Sequence, residues 1–319
     1  MASLILIGVG AGFVSALLFA VVISGSPLAL VLSYVAPFPI IVAALGWNHR
    51  AGLLAAVTGA VGLALIFRMP AGLAFAAGIG LPAWWLGYLA LLARPTESGP
   101  EWYPTGRLLA WIALVAAAVT LAGALGIGFS HSAYEAAMRN AVQSFIRTET
   151  ELPDGEPLTL PGGLAADDLV STVIAAVPPL AAASFVLMLV LNVWLAAKTV
   201  AISERLPRPW PAIADTTLPR ITLAAFVVAL AVTVVAGGFL GLFATAVTGA
   251  LTCAFALQGL AALHAMTRGR AARPALLGAA YLLLILFLMW ILPILAIFGM
   301  ADILFGLRAR WPRSAGRTP

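Results

Sequence analysis

The chain has 319 residues, 63% of them hydrophobic and 9% charged, with a net charge of +5. Soluble domains carry roughly 25% charged residues, so these side chains cannot cover a surface in water, and the mean hydropathy of +1.07 assigns the chain to lipid. The basic residues are scattered over several loops with no long basic run or aromatic-interleaved patch, which argues against a nucleic-acid partner.

Apolar runs of this length predict membrane-crossing helices, because a helix needs about 20 apolar residues to cross the hydrocarbon. They are too long and uniform for the alternating strands of a barrel. The expected class is all-α, a polytopic transmembrane helical bundle of eight or nine spans at 4–23, 28–46, 51–67, 71–93, 108–129, 178–199, 221–238, 242–265 and 275–298. Leu4–Ile23 is longer than the apolar core of a secretory signal and no basic residue precedes it, so it reads as the first span. Residues 1–129 form an N-terminal five-span bundle. Its first four spans are joined by the short connectors Gly25-Ser26-Pro27, Trp47-Asn48-His49-Arg50 and Arg68-Met69-Pro70. Such connectors force antiparallel neighbours.

Residues 130–177 form an acidic loop. Tyr134, Met138, Ala141, Val142, Phe145 and Ile146 share one face at helical spacing, so 132–147 predicts an amphipathic helix lying on the bilayer surface. Residues 148–163 read as a loop. A second short helix from Leu164 ends at Pro178-Pro179, where the C-terminal membrane bundle, 178–307, begins. Residues 308–319 are a basic tail.

Orientation follows from Arg and Lys near the span ends. Arg94 and Arg107, then Lys198, Arg205, Arg208 and Arg220, then Arg268, Arg270 and Arg273 mark three loops that can share the cytoplasmic side of a bacterial inner membrane. The acidic loop then lies outside the cytoplasm. Nine spans would leave Arg308, Arg310, Arg313 and Arg317 on the wrong side, so either the tail breaks the rule, the chain turns back at Pro293, or a span is miscounted. Trp47, Trp102, Tyr103, Trp210 and Trp311 are expected at headgroup depth, and Trp290, placed mid-span, inside the bundle or against acyl chains.

Small residues recur every four positions at Gly8, Gly12, Ala16 and Ala20, at Gly52, Ala56, Ala60 and Ala64, and at Gly72, Ala76 and Gly80. Such ladders let helices approach closely. They serve internal packing or, on spans 1 and 3, a membrane-protein partner. The string Leu81-Pro82-Ala83-Trp84-Trp85-Leu86-Gly87-Tyr88 places Trp84 and Tyr88 on one face beside a proline kink, which reads as a packing anchor or one wall of a pocket. Asn192 and Gln258 are amides within spans. They need partners there and so face the interior. A pocket lined by Trp84, Tyr88, Asn192 and Gln258 would bind a neutral or amphipathic ligand.

Cys253 is the only cysteine and His49, His131 and His264 lack ligand spacing, so neither a metal nor another cofactor is expected. No nucleophile elbow, phosphate-binding Gly loop or His-Glu metal helix occurs, so no enzymatic activity is expected.

Four stretches carry a resemblance: Leu81–Pro95 continuing to Trp102-Tyr103-Pro104-Thr105-Gly106-Arg107; Asn192 through Pro207-Arg208-Pro209 to Leu218-Pro219; Phe255–Ala261; and Gly299–Asp302 with Arg308. In these the chain resembles the YybS-like group of uncharacterised bacterial membrane proteins. That group's span pattern is similar to the substrate-capturing membrane subunits of energy-coupling-factor vitamin transporters, which have six spans. That group has no established activity; the looser similarity, together with the proline-broken aromatic helix and the inward amides Asn192 and Gln258, points to small-molecule transport or substrate capture. The alternative is a non-transporting scaffold or assembly factor of the cell envelope.

Overall fold

The computed structural model describes residues 2–24, 26–150 and 166–310. It is an all-α polytopic bundle, with eight helical segments among the described residues long and apolar enough to cross a membrane. The first is α1 (Ala2–Ala20), continued by a 3-10 turn to Ser24. The second is split into α2 (Pro27–Tyr34) and α3 (Pro37–Gly46). Next come α4 (His49–Ile66) and the joined pair α5 (Met69–Phe75) and α6 (Leu81–Ala90). A short antiparallel hairpin, β1 (Ala93–Thr96) and β2 (Gly99–Trp102), leads into α7 (Thr105–Ile127). α8 (His131–Thr150) and α9 (Ala166–Ile202) follow, then α10 (Ile221–Val235), α11 (Gly238–Met266), α12 (Arg273–Leu286), α13 (Leu288–Phe305) and α14 (Leu307–Arg310).

Prolines shape two of the spans. Pro37, in the first turn of α3, has no N–H to continue α2, and the chain turns at Val35-Ala36. Between α5 and α6, Ala76–Gly80 winds as a π-helix, with the Leu81 N–H reaching back to the Ala76 carbonyl. This wide turn sets Pro82 in the first turn of α6, where its missing N–H costs least.

The small-residue ladders are used inside the chain. A methyl on Gly8 would meet Leu54 and the Ala51 carbonyl, and one on Gly12 would meet Ala55 and Thr58, so α1 and α4 lie parallel in close contact. The other side of α4 receives three neighbours: Gly52 abuts Ala44 of α3, Ala60 and Ala64 abut Gly72 of α5, and Ala56 abuts Gly80. With no apolar gain in moving a side chain from lipid to protein, this close approach is what dispersion rewards. One continuous core then runs from Ala16 through Leu86, Ala116 and Leu189 to Phe255 and Ile303, joining the N- and C-terminal halves.

Three expectations change. The helix predicted to stop at Pro178-Pro179 continues through both prolines as one helix of 37 residues. Ile174 and Ala175, whose carbonyls lose their i+4 donors to the two prolines, line an open cleft rather than a packed seam. The surface helix spans His131–Thr150. Its apolar face meets the bundle at one end only: Tyr134 is 4% exposed against Ala124 and Leu242, whereas Phe145 is 66% exposed. The predicted span 275–298 is broken at Phe287, whose backbone leaves the helical region (φ −131°, ψ 41°). Trp290 therefore sits in the first turn of α13, 74% exposed, not mid-span.

That break settles the direction of the last helix. Gly259 and Gly299 meet where α11 and α13 cross, and past the crossing Arg308 reaches the carbonyl of Ala214, whose neighbour Asp215 pairs with Arg268 just beyond the end of α11, so α13 runs parallel to α11. The intervening α12 must return the chain across the bundle. The shorter α10 likewise joins the loop at Leu218 to the cleft at Gly237. Among the described residues the chain thus passes between the two ends of the bundle ten times. Arg308 and Arg310 rejoin the end that carries Arg205, Arg208 and Arg268, which removes the conflict over the tail. The remainder of the tail, Trp311 included, and most of the acidic stretch 148–163 lie outside the described residues.

Candidate functional site

The four residues singled out by sequence fall in three separate environments. Trp84 and Tyr88 stack at 6.4 Å on α6, within an aromatic cluster that takes in Trp85, Trp111 and His49. Asn192, 1% exposed on α9, donates to the Tyr34 carbonyl at 2.8 Å and to the Met188 carbonyl at 2.7 Å. It thereby caps the backbone group stranded by the break between α2 and α3. Ser15 assists from α1, donating to the Ala36 carbonyl at 2.6 Å. Gln258 is fully buried on α11 and accepts from the Leu218 N–H at 2.9 Å while donating to Asp302 at 2.8 Å. Both amides face the interior and bond to the chain's own groups, Asn192 through its Nδ2 alone, its Oδ1 being buried without a partner. Neither of the two clefts described below includes any of the four residues.

Gln258 belongs to a latch that sequence reasoning noticed only in part. Asp302, 5% exposed, takes the Arg308 Nε at 2.7 Å and the Arg308 backbone N–H at 3.2 Å. Gly306, left-handed at φ 62°, bends the chain between α13 and α14 so that Arg308 folds back onto this carboxylate. The same guanidinium donates to the Ala214 carbonyl at 2.6 Å and the Gln258 carbonyl at 3.4 Å. Buried charges persist where they are paired and hydrogen-bonded. Nearby, Arg208 donates to the Ala90 carbonyl at 2.9 Å and the Tyr103 carbonyl at 3.3 Å, and burial lowers its pKa below the usual guanidinium value. Arg205 lies over Trp47 at 4.8 Å and Lys198 over Trp210 at 5.4 Å. This end of the bundle is a stitched, arginine-rich surface.

Two clefts remain as candidates. One, about 490 Å³, lies on the arginine-rich end between the β-hairpin and Pro207 and Pro209. Its charged lining group, Glu101, is engaged by Arg94 at 2.6 Å. The other, about 330 Å³, lies at the opposite end and draws on four helices. His131, Tyr134, Glu135 and Arg139 come from one face of α8; Ser171, Ile174 and Pro178 come from α9; Thr233 closes α10; Gly241 and Thr245 open α11. Tyr134 is held as a neutral phenol, its pKa raised by burial and by the neighbouring Glu135. The second cleft is the better candidate site, because ligand pockets in bundles collect a few polar groups between helices.

No side-chain pattern in the sequence marked this cleft. Its polar residues are ordinary one by one and come from four helices. The proline pair was the one available pointer, and its missing N–H donors give the site a backbone acceptor.

No curated protein and no solved structure matches the chain. A family model described as predicted membrane protein (DUF2232) matches residues 13–303, nearly the whole length over which these helices pack. The chain belongs to that family of predicted membrane proteins.

Proposed function

We propose that this protein is a membrane component that captures a small molecule for transport, taking it at the cleft between α8, α9, α10 and α11. The observation that carries the reading is the cleft itself: about 330 Å³ of space edged by polar groups at one end of an otherwise close-packed bundle. The loose similarity of the protein's span pattern to vitamin-capturing transporter subunits supports the same role. The Arg and Lys residues gathered at the opposite end support placing that end in the cytoplasm of a bacterial inner membrane, with the cleft facing outward. One of the features behind the scaffold alternative, the small-residue ladders, is engaged by the chain's own helices.

The test is copurification from native membranes, with mass spectrometry of bound small molecules and proteins. The expected result is a recurrent small molecule that disappears when Thr245→Phe fills the cleft. A stoichiometric envelope protein, recovered without any small molecule, would favour the scaffold.

A further inference from the structure

Resting on the capture reading, we infer that the cleft's ligand is a small protonated amine, held between Glu135 of α8 and oxygen acceptors on α9, α10 and α11. Three of the four hydroxyls that line the cleft, those of Ser171, Thr233 and Thr245, have already committed their protons; the fourth is the phenol of Tyr134. Ser171 donates to the Asp168 carbonyl at 2.9 Å, Thr233 to the Ala229 carbonyl at 3.0 Å, and Thr245 to the Leu242 carbonyl at 2.8 Å. A hydroxyl carries one proton and two lone pairs, so each of these oxygens faces the cleft as an acceptor. Pro178 has no N–H to give the Ile174 carbonyl, and both residues line the cleft, which adds a backbone acceptor.

The charges agree with this inventory. Arg139 is bound to Asp167 at 3.3 Å, so its charge is balanced within the protein. Among the described ion pairs, Glu135 meets His131 at 3.6 Å, a partner charged only when protonated. Among the described ion pairs the cleft therefore offers one carboxylate without a permanent cation, set near four oxygen acceptors and one free phenol, that of Tyr134. An ammonium group has three donors and no acceptor, so it can use Glu135 and these oxygens together. A carboxylate ligand could reach the Tyr134 hydroxyl and Arg139 only beside the like charge of Glu135. The ring of His131, edge-on to Phe239 at 5.7 Å, adds an aromatic flank beside the carboxylate.

The test uses the full chain in lipid nanodiscs and three isosteric probes at equal ionic strength: n-butylammonium, n-butanol and butyrate. The readout is the midpoint of thermal unfolding as a function of probe concentration. Butylammonium is expected to raise the midpoint and the other two to leave it unchanged. Glu135→Gln, at a half-exposed position that tolerates the change, should weaken the butylammonium response about tenfold, the scale of one charge-assisted contact. Thr245→Val should weaken it by a smaller factor, and Arg139→Gln should leave it equal or stronger. A butyrate response lost in Arg139→Gln would overturn the amine assignment and leave the capture reading standing. An equal response to butanol would overturn it as well. If none of the three probes binds, the amine assignment fails, and the copurification experiment decides separately whether the cleft captures anything.

Discussion

At the arginine-rich end of the bundle, Arg308 joins Asp302, Ala214 and Gln258 in one buried set of bonds, and Arg208 ties Ala90 to Tyr103. At the other end Glu135, Arg139 and four hydroxyls surround open space. Both ends contain side chains of the same types. They differ in what faces those groups: at the first, carbonyls and a carboxylate from segments far apart in sequence; at the second, a gap left where α8 rests on α7, α9 and α11 through one end of its apolar face. Satisfied buried polar groups rigidify a fold, whereas groups left facing space remain free to bind something else.

The sharpest way to break this contrast is to open the latch. Asp302→Ala leaves Arg308 buried without its carboxylate and Gln258 without an acceptor, which should cost about 3–5 kcal/mol, read as a lowered unfolding midpoint in detergent. A loss under about 1 kcal/mol would mean that the stitched end is no firmer than the open one.

A second test attacks the seam that brings the latch together. Gly299→Val puts a side chain against the Phe255 carbonyl and the Gly259 backbone, groups that cannot swing away. Overpacking of this kind costs about 1–3 kcal/mol or more. Gly278→Val, where nothing lies within reach of the added methyl, is the matched control and should be near neutral.

Smaller again is Asn192→Leu. It removes the partner of the Tyr34 carbonyl at the break in the second span, and an orphaned buried acceptor costs about 1–3 kcal/mol. The same unfolding assay checks it, and a neutral result would mean that the break is satisfied by other groups. The smallest effect belongs to Arg94→Ala. Its pair with Glu101 is short, but the side chains are 77% and 60% exposed, so at most about 1 kcal/mol is expected, decreasing with added salt.

Much of this was legible in the residues. Composition and run length dictate a helical membrane bundle, because every backbone polar group in lipid must be satisfied within its own segment. Asn192 and Gln258 were readable as inward-facing for a related reason: an amide in hydrocarbon needs a partner. Their partners were not readable, since Tyr34 and Leu218 are reached only through the fold. The break in the second span had a local cause in Pro37. The break at Phe287 had none, lying in a run of Leu, Ile and Met where periodicity is uniform.

The sequence by itself determined the solvent, the helical class and the approximate number of crossings, since these depend on sums over many residues. It also determined which helices could approach closely, since a glycine or alanine ladder needs no knowledge of its neighbour. Tertiary structure alone decided that α13 runs parallel to α11, that the ladders face one another, and that Arg308 closes on Asp302. It also decided that groups from four helices edge one cleft. A hydrogen bond or a cavity depends on where a few atoms meet to within about an ångström, and positions far apart in the chain hold no record of that meeting.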